Sequence, residues 1–198
     1  IARTEETASF LMPLLRNALQ GAAQNGAAAQ AAKLLTAYDG WAVEGSQGAS
    51  IYLKTLDAAR EELFTKQLGT FLSPDLFKQA LQPSLILQAL EGKTRVSYLE
   101  GRTAEDVLRA AFQKAVERLS TERGDDPARW GYRPGGIAVV EGASIPYGNR
   151  GTYIQIVELW KNPVGRNVLT PGVAESGPHS RDQEHLARGW TYKAMGGR

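Results

Sequence analysis

The sequence predicts an α+β protein: a mainly helical segment, residues 1–131, followed by a strand-and-loop segment, residues 132–198. Three observations lead there. Apolar residues recur at spacings of three and four from Phe10 through Leu119, the period of helices with one buried face. Beyond Arg133-Pro134-Gly135-Gly136 that period gives way to short apolar runs bounded by turn residues. In one of these runs, Gly151 to Leu159, Tyr153, Val157 and Leu159 fall on one side and Ile154 and Ile156 on the other, so a strand there is apolar on both faces. Such a strand suits the interior of a covered sheet.

The elements follow in order. Thr4 to Gln20 has a helical stripe of Phe10, Leu11, Leu14, Leu15, Ala18 and Leu19, with Glu5 and Glu6 near its positive end. Pro13 should kink that helix or restart it. A small-residue connection, Gly21 to Gly26, leads to an Ala-rich helix over Ala27 to Tyr38, with Leu34, Leu35 and Tyr38 on its apolar face. Asp39-Gly40 turns the chain, and Gly45-Ser46-Gln47-Gly48 opens a long helix to about Leu68. Its buried face should be Ile51, Tyr52, Leu56, Ala59, Leu63 and Phe64, and Gly69 should stop it.

Ser73-Pro74 starts the next helix, since Ser accepts from free N–H groups and Pro at the first helical position loses nothing. Leu76, Phe77, Ala80 and Leu81 should face its core; Pro83 interrupts the pattern, which resumes through Leu85, Ile86, Ala89 and Leu90. Glu91 to Arg102 is polar and Gly-containing, hence loop or short strand. Thr103 then caps a helix burying Val107, Leu108, Ala111, Phe112, Ala115, Val116 and Leu119, with Glu105 and Arg109 spaced for an ion pair. Gly124 to Pro134 breaks the chain around a Trp130 that reads as buried, and Ile137 to Val140 is a strand. After the two-faced strand, Asn162-Pro163-Val164-Gly165 is a turn and Asn167 to Thr170 a short returning strand.

Composition narrows the classes of function. The 198 residues are ample for a real core. Formal net charge is +2, from 23 basic and 21 acidic residues, with no run of Lys or Arg, so a nucleic-acid partner is not indicated. No segment approaches the roughly 18 uninterrupted apolar residues that span a bilayer. Zero Cys excludes disulfides, Cys-ligated metals and a Cys nucleophile. The chain opens on Ile1, without a charged-then-apolar leader, and reads as a fragment of something longer.

A resemblance sits in the last quarter. Asn149-Arg150-Gly151-Thr152 precedes the apolar strand. Val168-Leu169-Thr170-Pro171-Gly172, His179-Ser180-Arg181-Asp182-Gln183 and Gly189-Trp190-Thr191-Tyr192-Lys193-Ala194-Met195 follow it. In that order these pieces resemble the C-terminal end of the β chain in the penicillin acylase (penicillin amidase) family of N-terminal-nucleophile hydrolases. Two departures stand out: Val173-Ala174-Glu175 intervenes before Ser176-Gly177, and Ser180 replaces the family's Tyr. Near the start, a Pro-containing apolar helix ahead of Tyr38-Asp39-Gly40-Trp41 extends the resemblance, whereas Gln67 to Gly131 shares only helical character.

The resemblance implies strands belonging to the αββα sandwich of such a hydrolase. It also implies a parent enzyme that cleaves non-peptide C–N bonds in linear amides, as in the side-chain amide of β-lactams or related N-acyl compounds. Catalysis in this class uses an N-terminal Ser whose own α-amino group takes the hydroxyl proton, with donors for the oxyanion. In the family that Ser, the oxyanion Asn, a supporting Arg and the calcium ligands all lie ahead of the region matched here. This chain is therefore expected to carry scaffold, with no catalytic, cofactor or metal residue of its own, and to be inactive alone. Its partners would be the remaining N-terminal part of the β chain, the α chain and an N-acyl small-molecule substrate, with no nucleic acid and no membrane. A periplasmic or extracellular location follows from the family only.

Rival sites are weaker. His179, Asp182 and Ser176 recur at intervals of three in one loop, whereas triad groups must converge from different elements, so hydrogen bonds that fix the loop are the simpler reading. His179 and His185 lack further metal ligands. Asn149-Arg150 reads as a turn whose Arg ties down neighbouring carbonyls or a carboxylate, with a border of the parent's substrate cleft as the sharper possibility. Gly92-Lys93-Thr94 fails as a phosphate loop because Leu87 stands where a Gly is required. Asp125-Asp126 before Pro127 caps a turn, and Trp41, Trp130, Trp160 and Trp190 are core or interface anchors. The alternative function is a free-standing helical interaction module without catalysis.

Overall fold

The two longest apolar stripes become the two longest helices, and these pack on each other more extensively than any other pair. A computed structural model describes residues 7–20, 25–138, 144–146, 153–170, 172–174, 177–189 and 191–195. Among them the chain forms α1 (Ala8–Leu19), α2 (Gly26–Thr36), α3 (Gln47–Leu68), α4 (Pro74–Ala80), α5 (Pro83–Leu90) and α6 (Ala104–Arg123). The remaining elements are β1 (Gly136–Ala138), β2 (Ser144–Pro146), β3 (Ile154–Glu158), β4 (Val164–Val168), α7 (Glu184–Arg188) and β5 (Lys193–Met195). The fold class is α+β. Contacts divide the chain into one unit ending at Arg133 and another running from Pro134.

In the helical unit the expected faces of α3 and α6 are all buried: Ile51, Tyr52, Leu56, Ala59, Leu63 and Phe64 on one, Val107, Leu108, Ala111, Phe112, Ala115, Val116 and Leu119 on the other. α6 starts at a capping box, in which Thr103 Oγ1 accepts from Asp106 N at 3.1 Å and Asp106 Oδ2 accepts from Thr103 N at 3.3 Å. Gly48 lets the end of α2 close onto α3: a Cβ there would stand 2.9 Å from Tyr38 Cβ. Trp130, fully buried, donates its indole N–H to Gly124 O at 2.8 Å, and Asp126 Oδ1 caps the turn before it by accepting from Ala128 N.

Arginines then anchor chain ends whose carbonyls have no helical partner. Arg16 donates to Thr36 O and Tyr38 O, Arg109 to Ala18 O, Arg60 to Leu81 O and Arg123 to Gly131 O, all at 2.7–3.0 Å. This explains one departure from the sequence reading. Arg109 bonds Ala18 O at 2.7 Å and Asp106 at 3.3 Å rather than Glu105, which instead accepts from Asn17 at 3.4 Å. A tertiary carbonyl outcompetes an exposed pair on the same helix.

Other departures are local. Pro13 neither breaks nor restarts α1; it lies on the exposed side of an uninterrupted helix. α4 buries none of its residues and Leu76 is 52% exposed, because Pro83 opens a second short helix and α5 carries the buried set Ile86, Ala89 and Leu90. Leu81, just past α4, is buried. Gly69 ends α3 with an ordinary helical φ of −64°; its need is space, since a Cβ would come within 2.5 Å of Thr65 O.

In the second unit β1 and β2 form an antiparallel pair, and β3-β4-β5 an antiparallel sheet with β4 in the middle. Ile154 stands opposite Val168, Val157 opposite Gly165, and Gly165 opposite Met195. Two expectations are corrected here. The two-faced strand is an edge strand, with Ile156 40% and Val157 47% exposed, because among the described residues the sheet ends at β3. The returning strand runs over Val164–Val168 rather than from Asn167 to Thr170: Gly165 belongs to the ladder, where a Cβ would sit 3.0 Å from Met195 Sδ. Trp41 and Trp160 are exposed, and Trp190 lies outside the described residues. No described helix is long and apolar enough to cross a membrane.

Candidate functional site

β4 ends in the buried Val168, and the chain leaves it through Leu169 and the buried Thr170 into the segment where the sequence motifs lie. Gln183 reaches back to that exit. Its side chain is 3% exposed and its Oε1 accepts from Leu169 N at 2.9 Å. Val173 N and Ala174 N both donate to His179 O, at 3.0 and 3.3 Å. Ser180 donates to Gly177 O through its N–H at 3.1 Å and its hydroxyl at 2.7 Å. Gly172 lies so close that a Cβ would fall 2.1 Å from His179 O and 2.5 Å from Ser180 C. These contacts form a clasp between the segment leaving β4 and the segment entering α7.

His179 Nδ1 stands 3.5 Å from Asp182 Oδ2, and the imidazole is 68% exposed. The hydroxyl beside it, Ser180 Oγ, is spent on Gly177 O, so the contact is an exposed pair within a loop and not a base aimed at a nucleophile. Behind it, Arg188 and Arg181 both hold the Glu184 carboxylate, at 2.7 Å each, and keep it below its usual pKa. Of the motif residues singled out, Gly172, His179, Asp182 and Gln183 meet in the clasp, whereas Asn149, Arg150, Gly151, Pro171 and Ser176 lie outside the described residues. Ser180 appeared in the sequence only as a departure from the family pattern; its burial and its two bonds to Gly177 O make it part of the clasp.

Two charge clusters of the helical unit had little sequence signal. Glu62 on α3 takes Arg102 Nη1 at 2.6 Å and Lys114 Nζ, while Arg102 Nη2 also donates to Glu62 O at 2.9 Å. Burial pushes the Glu62 carboxyl up, but bonds from Lys114 and Arg102 outweigh it and leave the group below its usual pKa. Nearby, a cleft of about 320 Å³ between α3, α4 and α6 is lined by pairs: Lys54 with Glu122, Arg60 with Asp57 and Arg118 with Glu61, each at 2.5 Å. Charges neutralised in this way form a surface network rather than a receptor for an ion. Among the described residues no three of His, Asp and Glu converge on a metal position.

A segregated α+β chain, with a large helical core and strands clasped by backbone bonds, is the class of protein the fold defines. The chain belongs to the penicillin amidase family, whose model matches residues 2–141. Those residues take in the helical unit, so the family signal stands apart from the motifs between Asn149 and Met195. Among solved structures, a thermostable penicillin G acylase from Alcaligenes faecalis, in orthorhombic form, shares the fold. The TM-score is 0.68 at 19% identity, over 98% of this chain and 44% of that one. The chain thus spans less than half the length of that structure. Comparison with curated protein sequences returned no match.

Proposed function

We propose that residues 1–198 are the C-terminal part of the β chain of a penicillin-acylase-like amidohydrolase, which hydrolyses the side-chain amide of β-lactams or related N-acyl compounds. The observation that carries this is the unequal coverage: nearly all of this chain, but under half of the acylase, enters the match, in a family whose model fits residues 2–141. On this reading the Ser nucleophile with its α-amino base, the oxyanion donors and the calcium site of an exported enzyme lie in the preceding portion. β3, β4 and β5 contribute to its αββα sandwich, and the helices buttress it. The clasp at Gly172, His179, Ser180 and Gln183 acts as structure, since the His179 carbonyl, the Ser180 hydroxyl and Gln183 Oε1 are each engaged with neighbouring backbone.

The test is direct. The purified 198-residue chain, mixed with a chromogenic N-acyl aniline, should show no hydrolysis above buffer; turnover by the pure chain would overturn the division of roles. A second reading, a free-standing helical interaction module, is favoured by the closed core of the helical unit. A start codon just ahead of Ile1 would support it, whereas a Ser-initiated segment some hundreds of residues upstream supports the amidohydrolase.

A further inference from the structure

Asn25-Gly26 is the only Asn-Gly pair in the sequence, and it stands where α2 begins. Both residues are exposed. The Asn25 side chain makes no capping bond to α2, so its carboxamide is not held by the helix it precedes. Gly26 has a φ of +56° and nothing within 4 Å of where a Cβ would stand, which leaves that side of the peptide open to rotation. Its N–H opens the helix and has no intrahelical carbonyl to take it. The other described asparagines lack this combination. Asn17 lies inside α1 and donates to Glu105 Oε1 at 3.4 Å. Asn162 precedes Pro163, which has no N–H. Asn167 is laddered in β4 opposite Gln155 and Lys193, donates to Tyr153 Oη at 3.4 Å and precedes the buried, branched Val168.

We propose that Asn25-Gly26 is a site of self-modification, at which the chain converts the Asn25 amide to a carboxylate. The reaction uses only residues of this chain and is independent of the amidase reading. Gly26 N, losing its proton to solvent, attacks Asn25 Cγ. The new C–N bond closes a cyclic imide, and the side-chain nitrogen of Asn25 takes a proton from solvent and leaves as ammonia. Water then opens the ring. Addition at Cγ breaks the new bond and leaves aspartate at this position; addition at the backbone carbonyl carbon breaks the original peptide bond and leaves an isoaspartyl link through Cγ. The sum is one water consumed and one ammonia released, with no change of oxidation state. The place of the new charge matters for α2, whose first turn holds no acidic residue. An aspartate there can cap the helix and sets a negative charge at its positive end. The isoaspartyl product adds a backbone carbon immediately ahead of the helix and shifts how the chain enters it.

Peptide mapping by mass spectrometry tests this on the 198-residue chain aged in neutral and in mildly alkaline buffer, with a synthetic peptide of residues 22–30 as reference. Asn25 should convert within roughly tenfold of the rate in the peptide, whereas Asn17 and Asn167 should be roughly 100-fold slower, because a helix or a ladder must open first. The rate at Asn25 should rise roughly tenfold per pH unit, with the fraction of deprotonated attacking nitrogen. Conversion should give two products of equal mass that chromatography separates, aspartyl and isoaspartyl. Asn25→Gln, whose longer side chain closes the ring poorly, should abolish conversion at this position and leave urea unfolding unchanged, since the residue is exposed and makes no cap. A chain whose Asn25 keeps its mass while the synthetic peptide converts overturns the proposal. An aspartyl product alone, as direct hydrolysis without the imide would give, overturns it as well, and so does Asn25→Gln reacting as fast as the native chain.

Discussion

Glu62→Gln separates charge from shape at a carboxylate of the helical unit that holds two cations. The amide keeps the volume and keeps Arg102 Nη2 on the Glu62 carbonyl at 2.9 Å, but it removes the charge facing Arg102 Nη1 and Lys114. A fully buried pair that loses one partner costs about 3–5 kcal/mol, and an exposed pair about 0.2–1 kcal/mol. Glu62 is 13% exposed, but Arg102 and Lys114 retain 32% and 46%, so solvent screens both cations. The expected loss is about 2 kcal/mol at pH 7, between these limits. Urea unfolding of the isolated chain, followed by helical circular dichroism, reads it as a lower midpoint at unchanged slope. The pH dependence carries the sign. Because the folded pKa is below 4.5, the native advantage is complete above 4.5 and fades as pH falls through the lowered value. The gap between native chain and variant should therefore close toward pH 3. A loss under about 0.5 kcal/mol at pH 7, or a gap that persists unchanged to pH 3, would refute the assignment of charge as the cause.

Two further substitutions probe packing and the clasp. Trp130→Phe removes the N–H that satisfies Gly124 O at 2.8 Å and leaves space in a fully buried site, so it should cost roughly 2–3 kcal/mol by the same urea titration. Gly172→Ala forces a methyl group to within 2.1 Å of His179 O, where backbone rather than a flexible side chain must yield. The clasp should open, and amides of Val173 and Ala174 should exchange roughly 30- to 100-fold faster, with melting of the helical unit unmoved.

The parts of the fold visible in the sequence are those decided by local rules. The stripes of α3 and α6 bury as their spacing requires, and Thr103 forms its cap because the accepting oxygen and the donors lie within one turn. What stayed hidden depends on partners distant in sequence. Nothing local distinguishes an Arg109 aimed at Glu105 from one aimed at Ala18 O, 91 residues away. α4 shows the same limit from the other side: its pattern is amphipathic, but a seven-residue helix between two prolines is placed by its ends, and Leu76 remains exposed.

At the candidate site the motif residues were visible, but the bonds joining them were not. Gly172 is required by the approach of the chain at His179, which no reading of neighbouring residues reports. β3 carries the same lesson further. Its two apolar faces predict an interior strand, yet among the described residues it stands at an edge with Ile156 and Val157 exposed. The helical unit has no such mismatch: the apolar stripes of α3 and α6 are buried against one compact core, whereas β3 exposes apolar side chains on both faces.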